Sequence, residues 1–189
     1  KVLVQICYSN NVFSHNQLNN IETLANQYPR KATLKKLRSK VLSPRYGKYF
    51  FYNLIWYLLP YKSFSTLYIN HLPLSYKKST WKKIWEMYPD KLENTIANKF
   101  RTITDVNQFI FQFDALLSGE FYPTNMDKQG HCFTVVNNDI EDLIDAILKN
   151  KHKRICINDG CSFEVFQEAK GRILEALEVI LPDKSDFEL

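Results

Sequence analysis

The sequence predicts an α/β fold with several helices and a mixed or parallel sheet, and its second half carries the observations that predict it. Apolar segments at residues 132–136 and 154–158 have the length and composition of buried strands. Each is followed by a predicted amphipathic helix, over residues 140–148 and 162–181. Strands that alternate with helices in this way are typical of parallel pairing.

The first 120 residues are predicted to be mainly helical, because apolar residues recur at helical spacing between proline, glycine and capping signals. Capping boxes are predicted where Ser14, Asp90 and Asp105 each precede a Gln or Glu by three residues. Gly119 is predicted to end the helix that follows Asp105. The predicted helices begin at residues 14, 32, 47, 79 or 80, 90 and 105, and the first three end before Pro29, before Pro44 and at Pro60.

Charge is distributed unevenly along the chain. Residues 1–105 contain 17 Lys/Arg and 5 Asp/Glu, a net charge of +12, whereas residues 106–189 contain 8 and 15, a net charge of −7. A basic first half suits an anionic partner such as a nucleotide sugar, an anionic glycan or a membrane surface. A solvated basic face is the alternative interpretation. No nucleic-acid-binding motif accompanies the charge, so nucleic acid is not an expected partner.

The four cysteines form no CxxC pair, which favours reduced, mostly buried thiols in a cytoplasmic protein. A zinc site built from His131, Cys132, Cys156 and Cys161 is disfavoured by their irregular spacing. The longest apolar run, residues 49–59, is shorter than the about 20 residues that cross a bilayer. We interpret this run as a core helix, with docking on a membrane as the alternative.

His71 is the first candidate site residue. A strand predicted over residues 65–69 ends at Asn70 and His71, and Pro73 fixes the chain direction just beyond. A histidine held at a strand end can accept a proton from a hydroxyl group or donate one to a phosphate. A purely structural histidine is the alternative.

Arg101 is the second candidate, because a guanidinium group binds a phosphate through two parallel hydrogen bonds. The preceding Phe100 is expected to anchor the segment in the core. Asp105 is expected to cap the next helix rather than take part in chemistry. A surface arginine without a role in chemistry is the alternative.

Asn158 and Asp159 end the second predicted strand of the C-terminal half and precede Gly160. Ligands of parallel sheets bind beyond the carboxyl ends of strands. An amide and a carboxylate at that edge are suited to sugar hydroxyl groups or to a hard cation such as Mg²⁺. Asn-Asp-Gly is also a common turn sequence, which is the alternative.

Taken together, these segments resemble two conserved regions of the Stealth family. Residues 71–106 resemble its third region: a His-x-Pro, a helix with tryptophan, then Phe-Arg and a nearby acidic residue. Residues 154–160 and 181–189 resemble its fourth region, an apolar strand closing on Asn-Asp and a terminal Pro…Ser-x-Phe-Glu. The resemblance covers about residues 66–189. It implies that residues 1–189 form a single domain fragment, the C-terminal half of a catalytic domain.

The resemblance implies an enzyme that transfers a sugar-1-phosphate from a nucleotide sugar to a sugar hydroxyl, building bacterial capsular or exopolysaccharide. His71 would be the catalytic acid/base, Arg101 would hold the phosphate, and Asn158 and Asp159 would shape the donor or metal site. Mg²⁺ or Mn²⁺ is the implied cofactor. A nucleotide sugar and an oligosaccharide or polysaccharide acceptor are the implied partners.

Because the chain begins with Lys1 rather than Met and continues directly into a strand predicted over residues 2–7, we interpret it as part of a longer protein. The family's first two regions, including an Asp-Asp motif, are absent from it, so we expect the chain alone to be incomplete as a catalyst. The expected location is cytoplasmic, with a peripheral contact to the inner face of the cell membrane. A conventional glycosyltransferase and a non-catalytic polysaccharide-binding module are the alternative functions.

Overall fold

The computed structural model describes residues 12–64, 67, 71–135 and 140–186. Contacts divide the chain into two compact units. The first unit comprises residues 1–69 and 75–125, and the second comprises residues 70–74 and 126–189. The strands predicted over residues 2–7 and 65–69 lie outside the described residues, apart from Leu67.

The first unit is helical, as the spacing of its apolar residues predicts. Helices α1 and α5 pack against α7, around the fully buried side chains of Leu24, Ile84, Ile110 and Phe113. The helices are α1 (Val12–Ala25), α2 (Arg30–Lys36), α3 (Arg38–Val41), α4 (Tyr49–Leu58), α5 (Lys78–Met87), α6 (Pro89–Ala97) and α7 (Phe109–Ser118), with a short 3-10 turn at Pro44–Tyr46.

An ion pair between a partly exposed lysine and a buried aspartate joins α5 to α7. Lys83 Nζ lies 2.7 Å from Asp114 Oδ1, and the hydroxyl of Tyr28 donates to the same oxygen at 2.6 Å. The Asp114 side chain is 3% exposed. Because this carboxylate is paired and hydrogen-bonded, its charge is accommodated inside the helical core.

The predicted starts of several helices are wrong. Helix α1 begins at Val12, so Ser14 lies inside its first turn, where it is buried. Helix α6 begins at Pro89, whose fixed φ suits the first helical position, and Asp90 therefore follows the helix start. The single helix predicted over residues 32–42 is divided at the buried Leu37 into α2 and α3.

Gly119 ends α7 in the left-handed conformation, with φ of 90°, which confirms the predicted helix end. A Cβ at this position would lie 2.7 Å from Leu37 Cδ2. Glycine therefore meets two demands here, the backbone conformation and the close approach of a buried leucine.

The prediction that residues 49–59 form a core helix is wrong in part. Helix α4 forms, but Trp56 is its one buried residue. Phe51, Ile55 and Leu58 are exposed. The sequence does not show which side chains of α4 are buried and which are exposed, because the helix is apolar on all sides and the spacing of its apolar residues marks no single face.

The second unit contains the parallel strands that the sequence predicts. Strands β1 (His131–Val135) and β2 (Ile155–Asp159) pair in parallel, with His131 opposite Ile155 and Val135 opposite Asp159. Helix α8 (Glu141–Leu148) connects them, and α9 (Phe163–Ile180) follows β2. Buried residues of this unit that form one hydrophobic cluster are Val135, Ile140, Leu143, Ile147, Ala169 and Ala176. The α/β class is therefore confirmed.

Candidate active site

Arg101 lies in the loop between α6 and α7, and the carboxylate of Asp105 holds the turn that follows it. Arg101 is exposed, whereas Asp105 is 4% exposed. The Asp105 carboxylate accepts hydrogen bonds from the backbone N and the hydroxyl of Thr102, at 2.7 and 2.8 Å. Asn98 Nδ2 donates a third, at 2.7 Å. The prediction that Asp105 caps the next helix is therefore wrong, because its side chain binds backward along the chain.

Two asparagines of α1 donate hydrogen bonds to the backbone of the same loop. Asn16 Nδ2 donates to the carbonyl oxygens of Thr102 and Asp105, at 2.8 and 2.9 Å. Asn19 Nδ2 donates to those of Ile103 and Asp105, both at 2.8 Å. Because each amide binds two carbonyls, α1 fixes the course of the chain immediately after Arg101.

A third asparagine of α1, Asn20, forms hydrogen bonds with Asn107, just before the start of α7. Its Nδ2 donates to Asn107 Oδ1 at 2.7 Å, and its Oδ1 accepts from the backbone N of Asn107 at 3.1 Å. Asn107 Oδ1 in turn accepts from the backbone N of Phe109, the first residue of α7. Asn107 thus provides the cap that the sequence assigns to Asp105.

The binding of the Arg101 loop backbone by asparagines of α1 is not predicted from the sequence. A signal does exist, because Asn16, Asn19 and Asn20 recur at the spacing of one helix face. Asn16 and Asn20 are fully buried. Asparagine favours turns and helix ends, so its repeated burial within a helix indicates that the side chains satisfy another segment's backbone.

Opposing effects act on the pKa of the Asp105 carboxyl group. Burial raises this pKa, but hydrogen bonds from Thr102 and Asn98 and the positive charge of Arg101 lower it, and the net pKa is below that of an ordinary aspartate. Phe100 is 77% exposed, so the prediction that it anchors the segment in the core is wrong. The anchor is the ionised Asp105 together with α1.

His71 is exposed, and the two residues after it are fixed to the amino-terminal ends of β1 and β2. Arg154, just before β2, donates from Nη1 to the carbonyl oxygen of Pro73 at 2.9 Å. Leu72 is buried, and a Cβ on Gly130, just before β1, would lie 3.0 Å from its Cδ2. Burial of Leu72 and the bond to Pro73 therefore determine where the backbone of His71 lies in the second unit.

Asn158 and Asp159 lie at the other end of the same strands. They are the last two residues of β2, in register with Thr134 and Val135 of β1, and both are exposed. Five-residue strands separate their two ends by roughly 13 Å. Within the second unit, the segment after His71 lies at the amino-terminal end of the strand pair. The Asn158–Asp159 pair therefore lies at the opposite, carboxyl end.

The predicted cation site would lie at this end of the strand pair, beside Asn158 and Asp159. Successive residues of a strand point to opposite faces, so the side chains of Asn158 and Asp159 diverge. Among the residues that the structure describes, no group of three or more His, Cys, Asp and Glu side chains could hold a metal ion. These residues do not by themselves provide the oxygen ligands that Mg²⁺ requires.

The segment that contains His71 and Arg101 is similar to a conserved region of a known protein family. Residues 70–110, which contain both His71 and the Arg101 loop, match the family model described as Stealth protein CR3, conserved region 3. No solved structure matches the chain significantly.

Three relatives illustrate the similarity across the chain. A capsular polysaccharide phosphotransferase WcwK of Streptococcus pneumoniae is 34% identical over 171 residues, 90% of this chain and 50% of the relative. The exopolysaccharide phosphotransferase cps2G of Lactiplantibacillus plantarum is 27% identical over 178 residues, 93% of this chain and 51% of the relative. The receptor polysaccharide phosphotransferase WefC of Streptococcus gordonii is 32% identical over 120 residues, 64% of this chain and 35% of the relative.

The chain spans about half the length of the first two of these relatives. Its third-region motif, predicted from His71 to Val106, is matched by the family model, while the resemblance of residues 154–160 and 181–189 to the fourth region stays a prediction. The chain therefore belongs to the Stealth family, in the part of it that contains conserved region 3.

Proposed function

We propose that this chain forms part of an enzyme that transfers a sugar-1-phosphate from a nucleotide sugar to a hydroxyl group of another sugar, making phosphodiester-linked capsular polysaccharide or exopolysaccharide. The observation that carries the proposal is the match of residues 70–110 to conserved region 3, which brings His71 and Arg101 into one family motif. Three of its relatives are named as phosphotransferases of a capsular polysaccharide, a receptor polysaccharide and an exopolysaccharide.

The proposed reaction is a displacement at phosphorus. The oxygen of the acceptor hydroxyl attacks the phosphorus that bears the sugar, and the bond from that phosphorus to the nucleoside monophosphate breaks. The hydroxyl proton passes to the imidazole of His71, which acts as general base. The nucleoside monophosphate leaves with the bonding electrons, and the product is a sugar–phosphate–sugar diester.

Arg101 is proposed to bind the phosphate oxygens of the donor. Catalysis of phosphoryl transfer depends mainly on positioning and on neutralising charge, and a guanidinium group does both when its backbone is fixed. The bonds from Asp105, Asn16 and Asn19 support this role, because they hold the loop while the Arg101 side chain remains exposed.

Asn158 and Asp159 are proposed to bind donor hydroxyl groups at the carboxyl end of β2. Mg²⁺ or Mn²⁺ remains part of the proposal as a source of charge neutralisation. Asp159 would offer it a charged oxygen at this end of β2. No step of the proposed mechanism depends on the ion.

The type of bond in the product distinguishes this proposal from a conventional glycosyltransferase. The full-length gene product would be incubated with a panel of nucleotide sugars, Mg²⁺ and a short glycan, and the products analysed by mass. Addition of a sugar with its phosphate is expected. Addition of the sugar alone would identify a glycosyltransferase, and glycan binding without product would favour a binding module.

The proposal extends to location. Nucleotide sugars are cytosolic, so we place the reaction in the cytoplasm with a peripheral contact to the inner face of the cell membrane. The net charge of +12 over residues 1–105 supports attraction to anionic headgroups. Among the described residues, no helix has the length and apolar character needed to cross a membrane.

A further inference from the structure

Helix α4 carries an exposed row of large apolar side chains. Phe51, Ile55 and Leu58 are 67%, 60% and 69% exposed, and Tyr52 beside them is 49% exposed. Their spacing of four and three residues puts the first three on one side of the helix. A contiguous row of this kind marks an interaction surface rather than ordinary exposure of single side chains.

The other side of α4 is already packed, so the exposed row is not needed to hold the helix in place. Trp56 is buried and stacks on Phe64, with ring centroids 5.7 Å apart. Arg30 donates to the carbonyl oxygens of Trp56 and Leu59 at 2.6 and 3.0 Å, which satisfies the end of the helix. Asn53 Nδ2 donates to the backbone of α3 at 3.1 Å.

The charge around α4 indicates what kind of partner fits this row. Residues 30–62 contain nine Lys/Arg and no Asp/Glu, and α4 itself contains no charged residue. Arg45 and Lys48 precede the helix and Lys62 follows it, and all three are exposed. An apolar row whose flanking sequence carries only positive charge is complementary to a surface that is apolar in depth and negatively charged outside.

Helix α9 provides the contrast. Phe163, Val179 and Leu181, at its two ends, are 71%, 69% and 67% exposed, which matches the exposed row of α4. Residues 163–181 contain four Glu against one Lys and one Arg. Exposed apolar side chains therefore occur in both units, but those of α9 lie among acidic residues, whereas those of α4 lie in a stretch without them.

We propose that α4 docks this protein on an anionic lipid bilayer, with Phe51, Ile55 and Leu58 inserted among the headgroups and the neighbouring basic residues on the lipid phosphates. Since α4 has ten residues, it lies in the interface and does not span the bilayer. The inference rests on the proposed function only for its location. Docking requires no turnover, so the two are tested separately.

Vesicle sedimentation of the full-length gene product tests the proposal. Binding to phosphatidylcholine vesicles that contain phosphatidylglycerol is expected, with little binding to phosphatidylcholine alone, and salt should weaken it. Replacing Phe51, Ile55 and Leu58 together by Ser should weaken binding roughly tenfold or more. The matched control replaces Phe163, Val179 and Leu181 by Ser and should bind like the unmodified protein.

A fluorescent probe gives a second measurement that does not depend on a triple variant. An environment-sensitive dye on Ile55→Cys should shift to shorter wavelength on the anionic vesicles, whereas the same dye on Val179→Cys should not. The proposal is overturned if the unmodified protein ignores anionic vesicles, or if the triple α4 variant binds them equally well. It is also overturned if the row instead joins two copies, seen as a dimer that the triple variant dissociates. Loss of turnover with intact vesicle binding would contradict the proposed function alone.

Discussion

At the scale of single residues, Asp105 couples a buried charge to the position of Arg101. Its carboxylate binds Thr102 and Asn98 and lies near the guanidinium group of Arg101. Buried carboxylates are costly unless hydrogen bonds and a countercharge compensate, and both are present here. The residue therefore stabilises the fold and positions a proposed substrate-binding side chain at the same time.

Acid should remove the stabilisation that Asp105 provides. The pKa of Asp105 in the folded state is below the unfolded value of about 3.9, so the stabilisation is complete at neutral pH and is lost as the pH falls below about 4. Asp105→Asn should lower the free energy of unfolding by about 1–3 kcal/mol at pH 7 and by less in acid. Urea titrations at pH 7 and at acidic pH measure the free energy of unfolding of this variant, with Asp183→Asn, at an exposed position, as the control. An equal loss at both pH values would contradict the account.

Asn19 is the residue through which the Arg101 loop can be loosened with least damage to the core. Its side chain is half-buried and donates to Ile103 and Asp105. Asn19→Ala should lower kcat/KM for the nucleotide sugar about tenfold, mainly through KM, because a displaced arginine binds phosphate less well. Steady-state kinetics of Asn19→Ala and of the exposed neighbour Leu18→Ala make the comparison. Unchanged KM in a folded Asn19→Ala protein would remove Asn19 from the positioning of Arg101.

Residue-scale prediction from sequence identifies Arg101 and Asp105 but misjudges what Asp105 binds. An aspartate three residues before a glutamine satisfies the pattern of a capping box, and the same side chain can also bind the backbone three residues earlier. The choice is made by Asn16 and Asn19, more than 80 residues away along the chain. Local patterns contain no information about such distant donors.

At the scale of elements, the sequence predicts which segments are helices and strands better than where they begin. The parallel pairing of β1 and β2 follows from the alternation of strands with helices along the sequence, and the end of α7 at Gly119 follows from the conformational freedom of glycine. The division at Leu37 and the exposed face of α4 do not follow, because they depend on which neighbours pack against each helix.

The start of β1 is the element boundary on which the His71 segment depends. A Cβ on Gly130 would lie 2.3 Å from the carbonyl oxygen of Arg154 and 3.0 Å from Leu72 Cδ2. Gly130→Ala should therefore separate the strand starts, displace the residues after His71 and lower the free energy of unfolding by about 1–3 kcal/mol.

Gly171→Ala is the matched control, because nothing lies within 4 Å of its added Cβ. It lies within α9, where alanine should stabilise the helix by roughly 0.5–1 kcal/mol. Thermal unfolding of both variants gives changes of opposite sign if the account is right. A Gly130→Ala protein as stable as the unmodified one would mean that the strand starts accommodate the methyl group.

At the scale of the whole molecule, the two halves of the sequence differ in net charge. Residues 1–105 carry Arg101 and α4 within a net charge of +12, while residues 106–189 carry the strand pair within a net charge of −7. An excess of positive charge favours the approach of anionic molecules to the first half. Composition alone predicts this attraction, but which residues are exposed to meet such a partner is known only from the fold.

His71 is proposed to perform general acid/base chemistry in sugar-1-phosphate transfer. The decisive measurement is the release of nucleoside monophosphate by the full-length gene product, compared for His71→Ala and His152→Ala. We expect His71→Ala to lower kcat/KM by roughly 10²-fold or more, with the fold intact, and His152→Ala to have little effect. Near-normal turnover by His71→Ala would exclude His71 as the acid/base.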